Sequence, residues 1–386
     1  MKFKVIDLFA GGGGLSLGFT NAGFDILAAF DNWLPAIDLY KQNFKKHPIF
    51  KLDLSSLKAF EEIAAFAPDI IIGGPPCQDF SSAGKRDETL GRADLTIAYA
   101  RIISKLCPPY FIMENVGRAI NSNAFTVAKS VFKKAGYGLS IKILDASYCG
   151  VPQLRKRLFV IGEKNGVDGF LDKELDGHLS SKPMTLRDYF GDTLGIEHYY
   201  RHPRSYARRA VFSIDEPSPT VRGVNRPVPT GYPGHKGDTC PVSNNVRPLS
   251  TRERSMIQTF PASFKLGGSK TEVEQIIGNA VPVKLAEYVA LRLKEYLIAR
   301  LMPPSPSSAK SRAGGVMSAI GQRRNTANVG VHWGERENST EERIMKKSKK
   351  EHEAAMAFYG GKKNYRSLTS DRFNRSKKAV KMRKEE

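Results

Sequence analysis

The chain is short of cysteine, of long apolar runs and of acid, and each shortage excludes something. Only four cysteines occur in 386 residues, Cys77, Cys107, Cys149 and Cys240. They lie far apart, with no CxxC pair and no histidine at ligand spacing, which argues against a disulfide framework and against any metal site. No apolar run approaches the ~20 residues that a membrane-spanning helix needs. The start, MKFKVIDLFAGGGG, enters a strand and a glycine turn without a signal-like apolar region. A soluble protein of a reducing, cytoplasmic compartment is the expectation. Acid is outnumbered, 39 Asp+Glu against 60 Lys+Arg, for a net charge of +21. That balance points to a polyanionic partner, nucleic acid first, with a merely solubilising basic surface as the plainer alternative. A GxGxxG fingerprint is also missing: Gly11 to Gly14 are contiguous and Gly18 falls outside the pattern, which argues against a dinucleotide oxidoreductase.

What is present from residue 2 to about 163 is an alternation of strand-like runs with helical patterns. KVIDLF, DILAAF, a short strand near Phe50, DIIIGG, YFIMENV and RLFVIG read as strands, with helices over 15–22, 34–44, 57–66, 93–106 and 125–135. The repeat predicts an α/β fold with a mostly parallel, Rossmann-like sheet covered by helices on both faces. Residues 165–245, rich in Gly, Pro, Arg, Tyr and His, read as a small loop-rich domain. A return segment, 246–301, ends in a helix over 279–300 whose Val283, Ala286, Val289, Ala290 and Leu293 make one buried stripe. The tail, 302–386, holds 20 Lys+Arg against 9 Asp+Glu and few large apolar residues, which predicts disorder apart from one helix over 340–358.

Three strand ends carry candidate chemistry. Asp7-Leu8-Phe9-Ala10-Gly11-Gly12-Gly13-Gly14 places glycines between a strand and a helix, where a ligand can approach the helix N-terminus. Asp31 and Asp53 end the next two strands, where carboxylates can accept from ribose hydroxyls. No Lys or Arg follows the glycines, so a nucleoside without a pyrophosphate is favoured over a purely structural turn. In IIIGGPPCQDFS the two glycines and two prolines stiffen the approach to Cys77 and present its thiol at a strand end. An inert small residue is the alternative there. YFIMENV ends in Glu114, where partial burial would raise the carboxyl pKa; a helix cap is the alternative. QLRKR alternates, putting Gln153, Arg155 and Arg157 on one face, suited to phosphate, to a base edge, or to a solvated rim.

Taken in order, FAGGGG, PPCQ, ENV, QLRKR, RPLSTRERSMIQTFP and GNAVP make the chain resemble the DNA (cytosine-5)-methyltransferase family over residues 3 to about 165 and about 246 to 295. The resemblance implies S-adenosylmethionine as cofactor and cytosine in double-stranded DNA as substrate. It implies Cys77 as the nucleophile that adds to carbon 6 and Glu114 as the acid at ring nitrogen 3. Arg155 and Arg157 match the basic positions that hold the base and the loop. Asp7, Phe9, Gly11, Gly13, Gly14, Asp31, Asn32, Asp53, Leu54, Pro76, Leu95, Asn279 and Val281 match positions around the cofactor. Asn32 stands where an apolar or aromatic residue is usual, with Trp33 one place later.

The same resemblance makes 1–164 the catalytic domain, completed by 246–301, and 165–245 the target-recognition domain. It makes 78–92 a mobile loop closing over a flipped base. It is compatible with a cognate restriction endonuclease as partner, a monomeric state and a place at the nucleoid. The basic tail has no counterpart in the family's minimal form, and a DNA-tethering role is the expectation there. Methylation of cytosine in tRNA and a catalytically silent DNA-binding relative are the rival readings. Retention of Cys77, Glu114 and the glycine turn weighs against the second.

Overall fold

The structure, a computed structural model, describes residues 3–56, 58–76, 94–242 and 245–301. Cys77, the expected loop 78–92 and the tail 302–386 with its expected helix lie outside the described residues. Near-continuous apolar runs build the first strands, as a sheet buried on both faces requires. In chain order they alternate with helices: β1 (Lys4–Leu8), α1 (Gly14–Asn21), β2 (Asp25–Asp31), α2 (Leu34–Asn43), β3 (Ile49–Lys51), α3 (Lys58–Ala64), β4 (Ile70–Gly73), α4 (Asp94–Leu106) and β5 (Tyr110–Val116). Next come α5 (Asn123–Lys134), β6 (Tyr137–Asp145), the two-residue β7 (Gln153–Leu154) and β8 (Lys156–Lys164).

The seven-stranded sheet has the order β3-β2-β1-β4-β5-β8-β6. The pairings from β3 to β5 are parallel, and β8 runs antiparallel to both its neighbours. The mostly parallel sheet expected from the sequence is therefore present, with β6 as an edge strand that the apolar patterning did not signal. Strand order reverses between β1 and β4, and in open α/β sheets such a switch point opens a crevice beyond the carboxyl ends of the strands.

Two buried clusters sandwich the sheet. One packs Val5, Ile70 and Phe159 against α1 and α10 (Val283–Leu301); the other packs Ile6, Ile71 and Val160 against α3, α4 and α5. The expected stripe on α10 is fully inside, with Val283, Ala286, Val289, Ala290 and Leu293 all buried. Each buried Val or Leu of that stripe stabilises by roughly 1.5–3 kcal/mol. Helix α10 approaches α1 so closely that a Cβ at Gly18 would sit 2.5 Å from Ala286 Cβ. The expected helix start at Asn279 is corrected: α9 (Lys270–Asn279) ends there, and Ala280 is extended at φ −58, ψ 145. Pro282 explains the break, since the residue before a proline is driven out of the helical region.

After α6 (Asp172–Gly177), which packs on the main core, come α7 (Leu186–Phe190), β9 (His198–Tyr200), β10 (Val211–Ser213), β11 (Ser218–Pro219), β12 (Arg247–Pro248) and α8 (Thr251–Ile257) of the small unit. Its order β10-β9-β12 forms a separate three-stranded sheet, and β11 pairs with β7 of the main unit. Leu171 and Leu175, beyond the boundary expected at 165, are fully buried in the cluster beneath α10. The chain leaves the main core only after α6.

Candidate active site

Register, not proximity in sequence, assembles the site. Leu8 pairs with Gly73 across β1 and β4, and Gly73 pairs with Met113 across β4 and β5. Val116 then pairs with Arg157 across β5 and β8. One carboxyl edge thus brings together the glycine turn after β1, the Gly74-Pro75-Pro76 approach to Cys77, Glu114 and Arg157. They line a single cleft of about 2030 Å³.

At the β1–β2 end the cleft is lined by Phe9, Gly11, Gly14, Asp31, Asn32, Trp33, Asp53 and Leu54, with Pro76, Leu95, Asn279 and Val281 beside them. Phe9 takes φ +57, a left-handed conformation that costs a bulky residue free energy and commonly marks a functional turn. The Asp31 carboxylate braces the turn: Gly11 N donates to Oδ2 at 2.8 Å and Trp33 N donates to Oδ1 at 2.8 Å. Asp53 accepts from Ser55 N at 3.0 Å and Ser55 Oγ at 2.6 Å, which holds its carboxyl below the usual range and keeps it ionised at the cleft. Gly14 is needed for close approach, because a Cβ there would lie 2.1 Å from Val281 O.

Two of the expected cofactor positions are placed elsewhere. Gly13, at φ +82, faces the Phe44 and Tyr40 rings, not the cleft. Asp7 is fully buried and does not line the cleft. Ser16 Oγ donates to its Oδ2 at 2.6 Å, Tyr40 Oη donates to Ser16 Oγ at 2.7 Å, and His47 Nε2 lies 2.7 Å from Tyr40 Oη. Burial pushes the Asp7 carboxyl up to about 7. This chain of four polar groups escapes sequence reading, because its members come from β1, α1, α2 and the loop after α2.

Glu114 is buried, and Arg157 Nε lies 2.9 Å from its Oε1. Burial raises the Glu114 pKa, and the Arg157 and Arg155 charges oppose that rise. The carboxylate faces the approach to Cys77, since a Cβ at Gly74 would lie 3.1 Å from Glu114 Oε2. Next to it Asn115 Nδ2 donates to Pro75 O at 3.3 Å, pinning the same turn. Asn115 was legible only as part of the ENV motif, without a role.

Arg155, expected beside Arg157, also lines the cleft. It is 1% exposed, and its guanidinium donates to Val221 O at 3.0 Å, Gly278 O at 3.0 Å and Ala280 O at 2.9 Å. Those bonds make it a clamp on backbone, while its Nε has no hydrogen-bond partner among the described residues. Lining the same cleft as Glu114, the small unit presents Arg201, His202, Arg204, Arg208, Arg209, Arg222 and Arg226. Burial and the neighbouring Arg222 hold Arg201 down to about 10, and burial with Arg226 and Arg222 lowers His202. Like charges crowded on one wall are relieved by an anionic ligand.

A profile of the C-5 cytosine-specific DNA methylase family matches residues 3–295. The chain is 57% identical over 289 residues to the Type II methyltransferase M.HindV of Haemophilus influenzae, covering 74% of this chain and 95% of that protein. It is 57% identical over 295 residues to the Type II methyltransferase M.HgiDI of Herpetosiphon aurantiacus, covering 76% and 95%. Among solved structures it resembles the S. pombe Dnmt2 methyltransferase, with a TM-score of 0.57 at 19% identity over 76% of this chain and 99% of that one, a likeness of fold. The shared fold, the motifs gathered on one sheet edge and the extent of these matches place the chain in the C-5 cytosine-specific DNA methylase family, whose members transfer a methyl group from S-adenosylmethionine to cytosine.

Proposed function

We propose that Cys77 is the nucleophile of this methyltransferase, that Glu114 held by Arg157 binds the target cytosine, and that duplex DNA lies against the arginine wall of the small unit. The observation that carries the reading is the buried Glu114–Arg157 pair facing the Gly74-Pro75-Pro76 turn, in the cleft that also holds the glycine turn. A stacked base could not reach that depth, so the base must leave the duplex.

The β1–β2 end fits S-adenosylmethionine. At Gly11 a Cβ would meet nothing within 4 Å, so open cleft begins at the backbone itself. Asp31 and Asp53 offer carboxylates to ribose hydroxyls, Trp33 and Leu54 offer apolar surface to a purine, and among the described residues no cation stands beside them at that end to demand a phosphate. When bound, the cofactor supplies an electrophilic methyl group on a sulfonium.

The residues of the chain make carbon 5 able to accept that methyl. Addition of the Cys77 thiolate to carbon 6 forms a carbon–sulfur bond and moves the ring's electron pair toward carbon 5 and nitrogen 3. Glu114, whose pKa burial raises, shares a proton with nitrogen 3, and Arg157 fixes the orientation of the carboxyl. Loss of the carbon 5 proton then returns the electron pair, breaks the carbon–sulfur bond and frees the thiolate.

The Type II names of the similar proteins support a modification role beside a cognate restriction endonuclease. The enzyme acts as a monomer in the cytoplasm at the nucleoid. Among the described residues no helix is long and apolar enough to cross a membrane. The test is a duplex carrying 5-fluorocytosine, which cannot lose a carbon 5 proton. Incubated with S-adenosylmethionine it is expected to trap the protein as a denaturation-resistant adduct. Cys77→Ala is expected to abolish the adduct, and methylation by Cys77→Ala would overturn the assignment.

A further inference from the structure

Gln258 belongs to the segment STRERSMIQTFP, to which no chemistry has been assigned above, and it is fully buried. Its amide is spent on both sides of a junction. Nε2 donates to Ile277 O at 2.6 Å and Ala280 O at 3.0 Å, in the loop that carries Asn279 and Val281 to the cofactor end. Oε1 accepts from Gln153 Nε2 at 2.7 Å, and Gln153 Oε1 in turn accepts from Val221 N at 2.8 Å, at the root of the Arg222 segment. The backbone around Gln258 is held as firmly. Val283 N donates to its carbonyl at 3.0 Å, and the next residue, Thr259, takes φ +59, a true outlier for a β-branched side chain.

Arg155 spans the same gap with one rigid fork, reaching Val221 O on one side and Gly278 O and Ala280 O on the other. Between them the two segments touch backbone to backbone, since a Cβ at Gly278 would lie 2.2 Å from Gly223 N. Two loops tied through shared donors cannot be ordered independently. A ligand that orders one lowers the ordering cost at the other, and such coupling is reciprocal.

We propose that Gln258 is a positioning residue that couples cofactor occupancy to target recognition, by holding the Gly278–Val281 loop in register with the Val221–Gly223 segment. The inference rests on the cofactor and DNA assignments made under the proposed function. Filling the cofactor end tightens the grip on the correct DNA sequence, and binding of that sequence tightens the cofactor by the same factor.

The test uses the full chain, S-adenosylhomocysteine as a non-reacting probe, and a duplex carrying the site mapped by bisulfite sequencing beside a scrambled duplex. Binary affinities for probe and for duplex check the underlying assignments; the ratio of duplex affinities with and without probe checks the coupling. For the parent chain that ratio is expected to be about tenfold on the mapped site, within the usual range of coupling between sites, and near one on the scrambled duplex. Gln258→Met is expected to keep the binary affinities and bring the ratio on the mapped site close to one. Gln153→Met cuts the same bridge while leaving Gln258 on its carbonyls, and serves if the first variant does not fold. A parent ratio of one, or a variant that keeps the parent ratio, overturns the proposal, whatever either substitution does to the melting temperature.

Discussion

Asp7 is a single buried carboxyl at the root of the glycine turn. Its Oδ2 accepts from Ser16, its Oδ1 has no hydrogen-bond partner among the described residues, and its pKa is pushed up to about 7. In the unfolded chain the same group ionises near 3.9. The folded chain therefore holds one more proton between those values. The stability this group contributes is full below the unfolded value and is lost as pH rises toward 7. Asp7→Asn removes that loss, so calorimetry at pH 5 and pH 7 is expected to show a smaller fall in Tm for the variant than for the parent. Equal falls would mean that Asp7 is ionised in the fold. Glu114 is different, because its partner is a cation at the cleft. Glu114→Gln is expected to lower kcat about 10²–10³-fold, the usual loss when one donor to a developing charge is removed, with little change in KM for DNA. Arg157→Met removes a charge that holds the Glu114 pKa down, so the alkaline limb of its kcat profile is expected to move to higher pH.

At the scale of elements, the glycine turn and the loop between α9 and α10 form one joint. Gly14→Ala would drive a Cβ to 2.1 Å from Val281 O, a backbone atom that cannot step aside. Titration calorimetry with S-adenosylhomocysteine is expected to show binding lost in this variant while circular dichroism stays that of a folded chain. Retained affinity would show that α10 can slide. Much of this level was legible beforehand: the βα alternation, the stripe on α10 and the glutamate at the end of β5 follow from spacing alone. The misses have local causes. YGLSIKILD pairs only with β8 at the sheet edge and carries Lys142 toward solvent, so its apolar signal is diluted. The stripe on α10 does not mark where that helix begins; Pro282 is the residue that carries the contrary signal to a start at Asn279. The clamp made by Arg155 had no signal in the sequence, since its partners are main-chain carbonyls at Val221, Gly278 and Ala280, which no side-chain pattern announces.

For the molecule as a whole, the proposed face for DNA is a matter of charge. The formal charge of +21 says only that an anion is wanted; the structure places seven cationic or titratable side chains of the small unit along the cleft that also holds Glu114. Arg208 and Arg226 are exposed there. If each meets a phosphate, the double variant Arg208→Ala, Arg226→Ala is expected to flatten the plot of log affinity against log salt by about 1.8, close to 0.9 for each contact. Fluorescence anisotropy across a salt series measures it. An unchanged slope with altered sequence preference would assign the two side chains to base edges instead.

The clamp at Arg155 also bears on how such an enzyme could acquire a new target. It holds the segment proposed to read the target by the carbonyl of Val221, an atom that every amino acid supplies. Exchange of side chains around that point therefore leaves the mounting intact, except at Gly223, where a Cβ would press within 3.1 Å of Gln275 Cα. Recognition is in this sense a replaceable head on a standard fitting: the residues that choose a sequence can vary while those that do the chemistry stay where they are.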